Sequence, residues 1–246
     1  MDEIKTFHLG SDRPSQRVEE TSIKFDGNFD ANALTTALRH AFFQAWRIDS
    51  KLPLWVRQME GGSGRKYRYF VNSLFEQLPG SRYLEIGVYK GSTLCAAAYK
   101  NDLSATCIDH WKEFGGKDEF DKHARLLKFA SPKADLTVID NDFRDVDYKS
   151  LKKNGIFCFD GPHSEQDHYD GITLALPALK DEFILIIDDW VMPSVKDGTH
   201  RAIARARLDI VASITIETTQ DNTLPTLLGS WFSDWHNGYF LAVVRK

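Results

Sequence analysis

RYLEIGVYKGSTLCAAAYK, Arg82–Lys100, is the stretch whose reading decides the fold. RYLEIGV is a short buried strand, and GSTLCAAAYK is a helix built from small residues. Between them the glycines are spaced G-x-x-x-G, so a strand passes into a helix through a tight turn. The same alternation continues downstream. SATCIDHW (Ser104–Trp111) is a second strand, and DEFDKHARLLKFA (Asp118–Ala130) a helix. LTVIDND (Leu136–Asp142) is a third strand and GIFCFD (Gly155–Asp160) a fourth. A helix follows in SEQDHYDGITLALPAL, then a fifth strand, EFILIIDDW (Glu182–Trp190), and a helix in THRAIARARLD. ASITIETT and GYFLAVVRK close the chain as an antiparallel pair. Continuous apolar strands alternating with helices predict an α/β fold: a mostly parallel sheet with helices on both faces and an antiparallel C-terminal strand.

Upstream the signal is weaker. Residues 1–27 lack clear periodicity. DANALTTALRHAFFQAWRI (Asp30–Ile48) reads as an amphipathic helix, EGGSG (Glu60–Gly64) as a flexible loop, and KYRYFVNSLFEQL as a helix stopped by Pro79-Gly80. The expected organisation is a helical extension or cap over 1–80 and a ligand-binding domain over 81–246.

The 246 residues carry a net charge of −4 and are 42% hydrophobic. That composition supports a substantial core and argues against a nucleic-acid partner, which wants a basic face. The N-terminus is polar and shows no signal-peptide pattern, and no apolar run approaches the ~18 residues of a membrane span. Cys95, Cys107 and Cys158 form no C-x-x-C pair and read as reduced core residues of a cytoplasmic protein.

In parallel sheets ligands bind beyond the carboxyl ends of the strands. Each of the five strands has an acidic group at or near that end: Glu85, Asp109, Asp142, Asp160, and the pair Asp188-Asp189. Gly87 allows close approach to the backbone, and Gly91 and Ser92 open a helix. Glu85 suits a positive group such as an α-ammonium, and Asp109 suits two ribose hydroxyls. The dehydrogenase fingerprint G-x-G-x-x-G is absent, which disfavours a nicotinamide oxidoreductase or hydroxylase. Arg65, Lys66 and Arg68 read as a solvated helix start, with an anionic group on cofactor or substrate as the other possibility.

E-x-G-x-x-x-G-S followed by a strand ending in Asp resembles the S-adenosylmethionine site of class I methyltransferases. The resemblance implies that Gly87 and Gly91 line the methionine half and that Asp109 holds the ribose. It also implies that His110 or Trp111 packs on the adenine and that Asp142 and Phe143 meet its edge. Ordinary core packing is the other reading of Trp111 and Phe143.

Asp160, Asp188 and Asp189 end neighbouring strands, which lie ~4.8 Å apart. Carboxylates at that spacing repel unless protonated or neutralised, and a divalent cation such as Mg²⁺ would neutralise them. The other reading is that Asp188 or Asp189 caps a turn. FDGPHS and IIDDW resemble the strand ends of the metal-dependent O-methyltransferases, the catechol and caffeoyl-coenzyme A types and, closer, the macrolide-sugar (macrocin-type) enzymes. The likeness covers roughly 82–246. In the catechol type a lysine stands where His163 is here and removes the hydroxyl proton, so His163 is the candidate base. Ser164 and Asp167 also form a capping pattern there. His168 is a weaker candidate, expected on the helix surface or against strand-end residues.

The expected function is methyl transfer from S-adenosylmethionine, with a divalent metal, to a hydroxylated small molecule such as a sugar or glycosylated metabolite. The alternative is a binding protein that keeps the fold without the chemistry. The N-terminal helices and SWFSDWHNGY are expected to shape the acceptor pocket or a homo-oligomer contact.

Overall fold

In the computed structural model, residues 3–8, 19–225 and 233–246 are described. Strands β1 (Glu3–His8) and β2 (Glu19–Gly27) come first. Helices α1 (Ala33–Trp46), α2 (Leu54–Arg57) and α3 (Arg65–Gln77) follow. Then come β3 (Ser81–Ile86), α4 (Ser92–Ala98), β4 (Leu103–Asp109), α5 (Lys117–Ala130) and β5 (Ala134–Asp140). The second half holds β6 (Asn154–Phe159), α6 (Glu165–Ala175), β7 (Leu179–Ile187), α7 (Pro193–Ala206), β8 (Asp209–Glu217) and β9 (Tyr239–Arg245).

The strands form one sheet in the order β1-β2-β8-β9-β7-β6-β3-β4-β5. β3 to β7 run parallel, and β9 pairs antiparallel with both β7 and β8. Alternate residues feed two cores. Tyr83, Cys107, Cys158 and Ile186 join Phe70, Leu74 and Leu94 on one face, where α1, α3, α4 and α5 pack. Leu84, Ile86, Phe157 and Ile187 join Ile172, Val195 and Ala202 on the other, under α6 and α7. The period of two along each strand makes this division. All three cysteines are free and buried. Among the described residues no helix is long and apolar enough to cross a membrane.

The N-terminal segment departs from the helical reading. β2 pairs antiparallel with β8, and β1 pairs with β2, so the sheet itself extends into this segment. Two antiparallel strands at the end of a sheet need no continuous apolar run, which is why periodicity missed them. The helices came out as expected. Asn32 caps α1 in a reciprocal box with Thr35, and α3 ends just before Pro79-Gly80.

The chain runs β3, β4, β5 in one direction and then returns to place β6 on the other side of β3. Such a switch point opens a crevice at the carboxyl ends of the two strands. Gly87 follows β3 and Asp160 follows β6, so the order of strands alone puts both at that crevice.

Candidate active site

The crevice is a cleft of about 350 Å³ at the carboxyl end of the sheet. The glycine turn forms its floor. Gly87 has φ +85°, and a Cβ on it would sit 1.8 Å from the carbonyl oxygen of Asp160. Only glycine fits both conditions. Asp160 N–H in turn donates to Ile86 O at 2.8 Å. The glycine turn and the Asp160 tip are therefore locked backbone to backbone.

Asp109 lines the cleft, but its carboxylate is already engaged. Oδ2 accepts the N–H groups of Val88 and Tyr89 at 2.9 and 2.8 Å, and Oδ1 accepts Trp111 N–H at 2.7 Å. It holds the glycine turn against the end of β4, with lone pairs left for a ligand hydroxyl. Trp111 donates its indole N–H to Tyr89 O at 2.7 Å, and His110 Nδ1 accepts Lys112 N–H at 2.9 Å. Both residues line the cleft, as does Phe143. Asp142 does not: its carboxylate caps the short turn of Phe143–Asp145 by accepting Arg144 N–H. Asn141 stands in the wall in its place. Gly91 and Ser92 lie beside the cleft rather than in its wall. Glu85 is 1% exposed and its Oε2 has no hydrogen-bond partner. Burial, and secondarily Asp160 and Asp109, push its carboxyl well above 4.5, and the Tyr83 hydroxyl partly offsets this.

In the same cleft, Asp160, His163 and Asp189 bring one ligand atom each within 4.8 Å of one another. His163 Nε2 lies 2.7 Å from Asp189 Oδ2, and the side-chain amide of Asn237 donates to Asp189 Oδ1. The bond to Asp189 raises the His163 pKa to about 9 against the effect of burial. The same partner, together with Asn237, holds the Asp189 carboxyl below its ordinary value although burial opposes it.

Asp188 takes a different place from the one expected. It is 2% exposed, its Oδ1 accepts Asp189 N–H at 2.7 Å, and it shares a hydrogen bond with Asp160 beneath the cleft wall. Consecutive residues at a strand end face opposite ways, and the left-handed backbone of Asp189 (φ +56°) turns that side chain alone into the cleft. Asp160 and Asp188 are both pushed well above the carboxylate range, first by burial and then by neighbouring carboxylates.

His168 lies against strand-end residues, not on the surface. It is buried edge-to-face on Phe159, with its pKa lowered to about 3 by burial. The expected capping pattern forms: Ser164 and Asp167 make a reciprocal box at the start of α6. His236 and Asn237 were missed as single residues. Both line the cleft from the loop before β9, within the segment SWFSDWHNGY, whose residues 230–232 lie outside the described ones. Arg65 and Lys66 pair with the buried Asp234. Lys66 and Arg68 are buried, so the start of α3 is not the solvated surface its charges suggested.

Residues 84–190, from β3 to just beyond β7, match a family model described as a methyltransferase domain. Among solved structures the chain is similar to the O-methyltransferase TomG from Streptomyces achromogenes, in complex with SAM. Identity is 16% over 88% of this chain and 91% of that one, with a TM-score of 0.50. It is also similar to the O-methyltransferase from Bacillus cereus in complex with SAH, at 13% identity over 85% and 91%, TM-score 0.50. TrmN from Thermus thermophilus matches at 14% identity over 73% of this chain, TM-score 0.48, and the chain spans only 48% of that protein's length. At these identities the likeness is one of fold. No curated protein matches the sequence.

Residues 84–190 thus match a methyltransferase domain, and they are set in a Rossmann-like sheet. The group of Asp160, His163 and Asp189 lines the same cleft as the glycine turn.

Proposed function

We propose that the protein is a divalent-metal-dependent O-methyltransferase acting on a hydroxyl of a small molecule, with a sugar or glycosylated metabolite as the first candidate. The observation that carries this reading is that Asp160 and Asp189 reach the same cleft as the glycine turn, with their ligand atoms within 4.8 Å of each other and of His163.

The residues present fit both groups. For the methyl donor, the orphaned Oε2 of Glu85, two residues before Gly87, is a buried acceptor suited to an ammonium group, although Glu85 is not in the cleft wall. Asp109 has lone pairs left for ribose, and Trp111 and Phe143 offer flat apolar surface to a base. For the metal, two carboxylates on neighbouring strand tips are hard oxygen donors of the kind Mg²⁺ prefers. When bound, such an ion acidifies a coordinated hydroxyl and holds it in place.

Asp160 and Asp189 would hold the ion, with Asp188 beneath keeping Asp160 in place. His163 would take the acceptor's proton. Its proton at neutral pH depends on the bond from Asp189, so His163 becomes a competent base when that carboxylate is drawn to another partner. The glycine turn would hold the methyl donor so that oxygen, methyl and sulfur lie in line. Among the described residues no lysine or arginine lines the cleft, whereas Asp109, Glu113, Asp160 and Asp189 do. A cleft of that sign favours a neutral or cationic acceptor over a phosphorylated one.

The test is a methyl-transfer screen over sugars, catechols and nucleosides, with and without chelator, on wild type and Asp160→Asn. The variant should lose the metal-dependent rate and keep binding to S-adenosylhomocysteine. Turnover untouched by chelator would refute the metal, and equal loss of rate and cofactor binding would make Asp160 structural.

A further inference from the structure

The loop of residues 233–238, just before β9, lies outside the matched segment 84–190, yet it reaches the candidate site directly. All of its residues but His236 are buried. One end is held by the N-terminal helices. The N–H groups of Arg65, Lys66 and Tyr67 open α3 and have no partner within the helix. Arg65 donates to Ser233 O at 2.8 Å, and Lys66 and Tyr67 donate to Asp234 O at 2.9 and 3.2 Å. The Asp234 side chain, 4% exposed, pairs with Arg65 Nη2 at 2.7 Å and with Lys66 Nζ at 3.0 Å. A Cβ on Gly64 would stand 2.4 Å from Asp234 O, so a glycine there lets the two segments close on each other. Trp235 stacks on Phe42 of α1, with ring centroids 5.6 Å apart.

The other end grips the turn after β7. Val191 N–H donates to Asn237 O at 2.9 Å, and Trp190 N–H donates to Gly238 O at 3.2 Å. Beside these bonds the Asn237 side-chain amide donates to Asp189 Oδ1. Asp189 has a left-handed backbone, φ +56°, which a residue with a side chain keeps only where its surroundings hold it. Its carboxylate has a hold on each oxygen: Asn237 on Oδ1 and His163 on Oδ2. An ion that takes Oδ2 displaces His163 and leaves Asn237 to fix the direction of the carboxylate.

We propose that Asn237 is a positioning residue for the metal ligand Asp189, and that the N-terminal helices act on the site through it. The start of α3 sets the loop, the loop sets Asn237, and Asn237 aims Asp189. The inference rests on the metal reading above. It gives the segment before β3 a part in the site, although Gly62 is the one described residue of that segment in the cleft wall.

The test titrates Mg²⁺ calorimetrically into wild type, Asn237→Ala, Asp234→Asn and the double variant, with S-adenosylhomocysteine affinity and melting temperature measured alongside. Asn237→Ala should weaken Mg²⁺ binding about 10- to 100-fold, the range for losing a group that orients a metal ligand, and leave S-adenosylhomocysteine affinity unchanged. Asp234→Asn keeps the size of a side chain outside the cleft wall and removes the charge facing Arg65 and Lys66. It should weaken Mg²⁺ binding about 2- to 30-fold, again without touching the cofactor analogue. In the double variant the change at Asp234 should add nothing, because it acts through Asn237. Effects that simply multiply would overturn the link to α3. Unchanged Mg²⁺ affinity in Asn237→Ala, or a loss matched by S-adenosylhomocysteine and by melting temperature, would make Asn237 a packing residue and overturn the proposal. Should Asn237→Ala not fold, unchanged Mg²⁺ affinity in Asp234→Asn overturns it as well. Wild type that binds S-adenosylhomocysteine but no Mg²⁺ would overturn the metal reading, and this proposal with it.

Discussion

Replacing Glu85 with glutamine should stabilise the ligand-free protein at neutral pH while weakening its hold on the cofactor. Glu85 is buried with one oxygen unpartnered, and burial raises its carboxyl well above the ordinary 4.5. The folded state therefore keeps a proton that the unfolded chain releases above pH 4.5. The contribution is fully present below 4.5 and is lost as pH rises toward the folded-state value. Each pH unit in that window is worth up to about 1.4 kcal/mol, so wild type loses stability steadily as pH rises above 4.5 through this one group. Glutamine has nothing to ionise. Urea denaturation of both proteins from pH 4.5 to 8 isolates the effect as the change in their stability difference with pH. Any fixed packing cost of the amide cancels, and Asp160 and Asp188 titrate in both proteins. A stability difference that does not move with pH would refute the argument. Cofactor affinity should fall in the same variant, about tenfold or more, because a neutral amide replaces the partner of an ammonium group. Unchanged affinity would remove Glu85 from the site.

His163→Ala should lower kcat by about 10²- to 10⁴-fold while metal and cofactor affinities hold, which metal titration alongside steady-state kinetics would check; a matching loss of metal affinity would make His163 a ligand. Divalent-cation affinity should tighten as pH rises from 6 toward 9, because His163, with a pKa of about 9, and the Asp160–Asp188 pair hold protons that compete with the ion. Calorimetric Mg²⁺ titrations at several pH values would show this, and a flat profile would contradict it. Gly87→Ala should destabilise the fold by at least about 1–3 kcal/mol from the strained backbone alone, before the clash with Asp160 O is counted. A melting temperature within a degree of wild type would argue against the tight crossing of the two strand tips.

Much of this arrangement is legible in one dimension. RYLEIGV, SATCIDHW and GIFCFD announce buried strands because a strand covered on both faces must be apolar throughout. The acidic tips are legible because Asp109 and Asp160 each end such a run. The strands β1 and β2 were not legible, since antiparallel strands joining the sheet through β8 carry no period strong enough to read. Nor was the burial of Arg68 at the start of α3. A basic helix start looks solvated until α4 and the Glu60–Gly64 strap cover it.

The sequence by itself determined the alternation of strands and helices, the glycine turn and the position of every carboxylate along the chain, because those depend on local period and backbone freedom. Which carboxylates meet was decided only by the tertiary structure. Asp189, not Asp188, joins Asp160 and His163 because the order β7-β6-β3 and one left-handed residue set the direction of each side chain. Asn237 and His236 reach the same cleft from a loop some fifty residues further on. Such meetings depend on how strands pair across long separations, and no local pattern encodes that pairing.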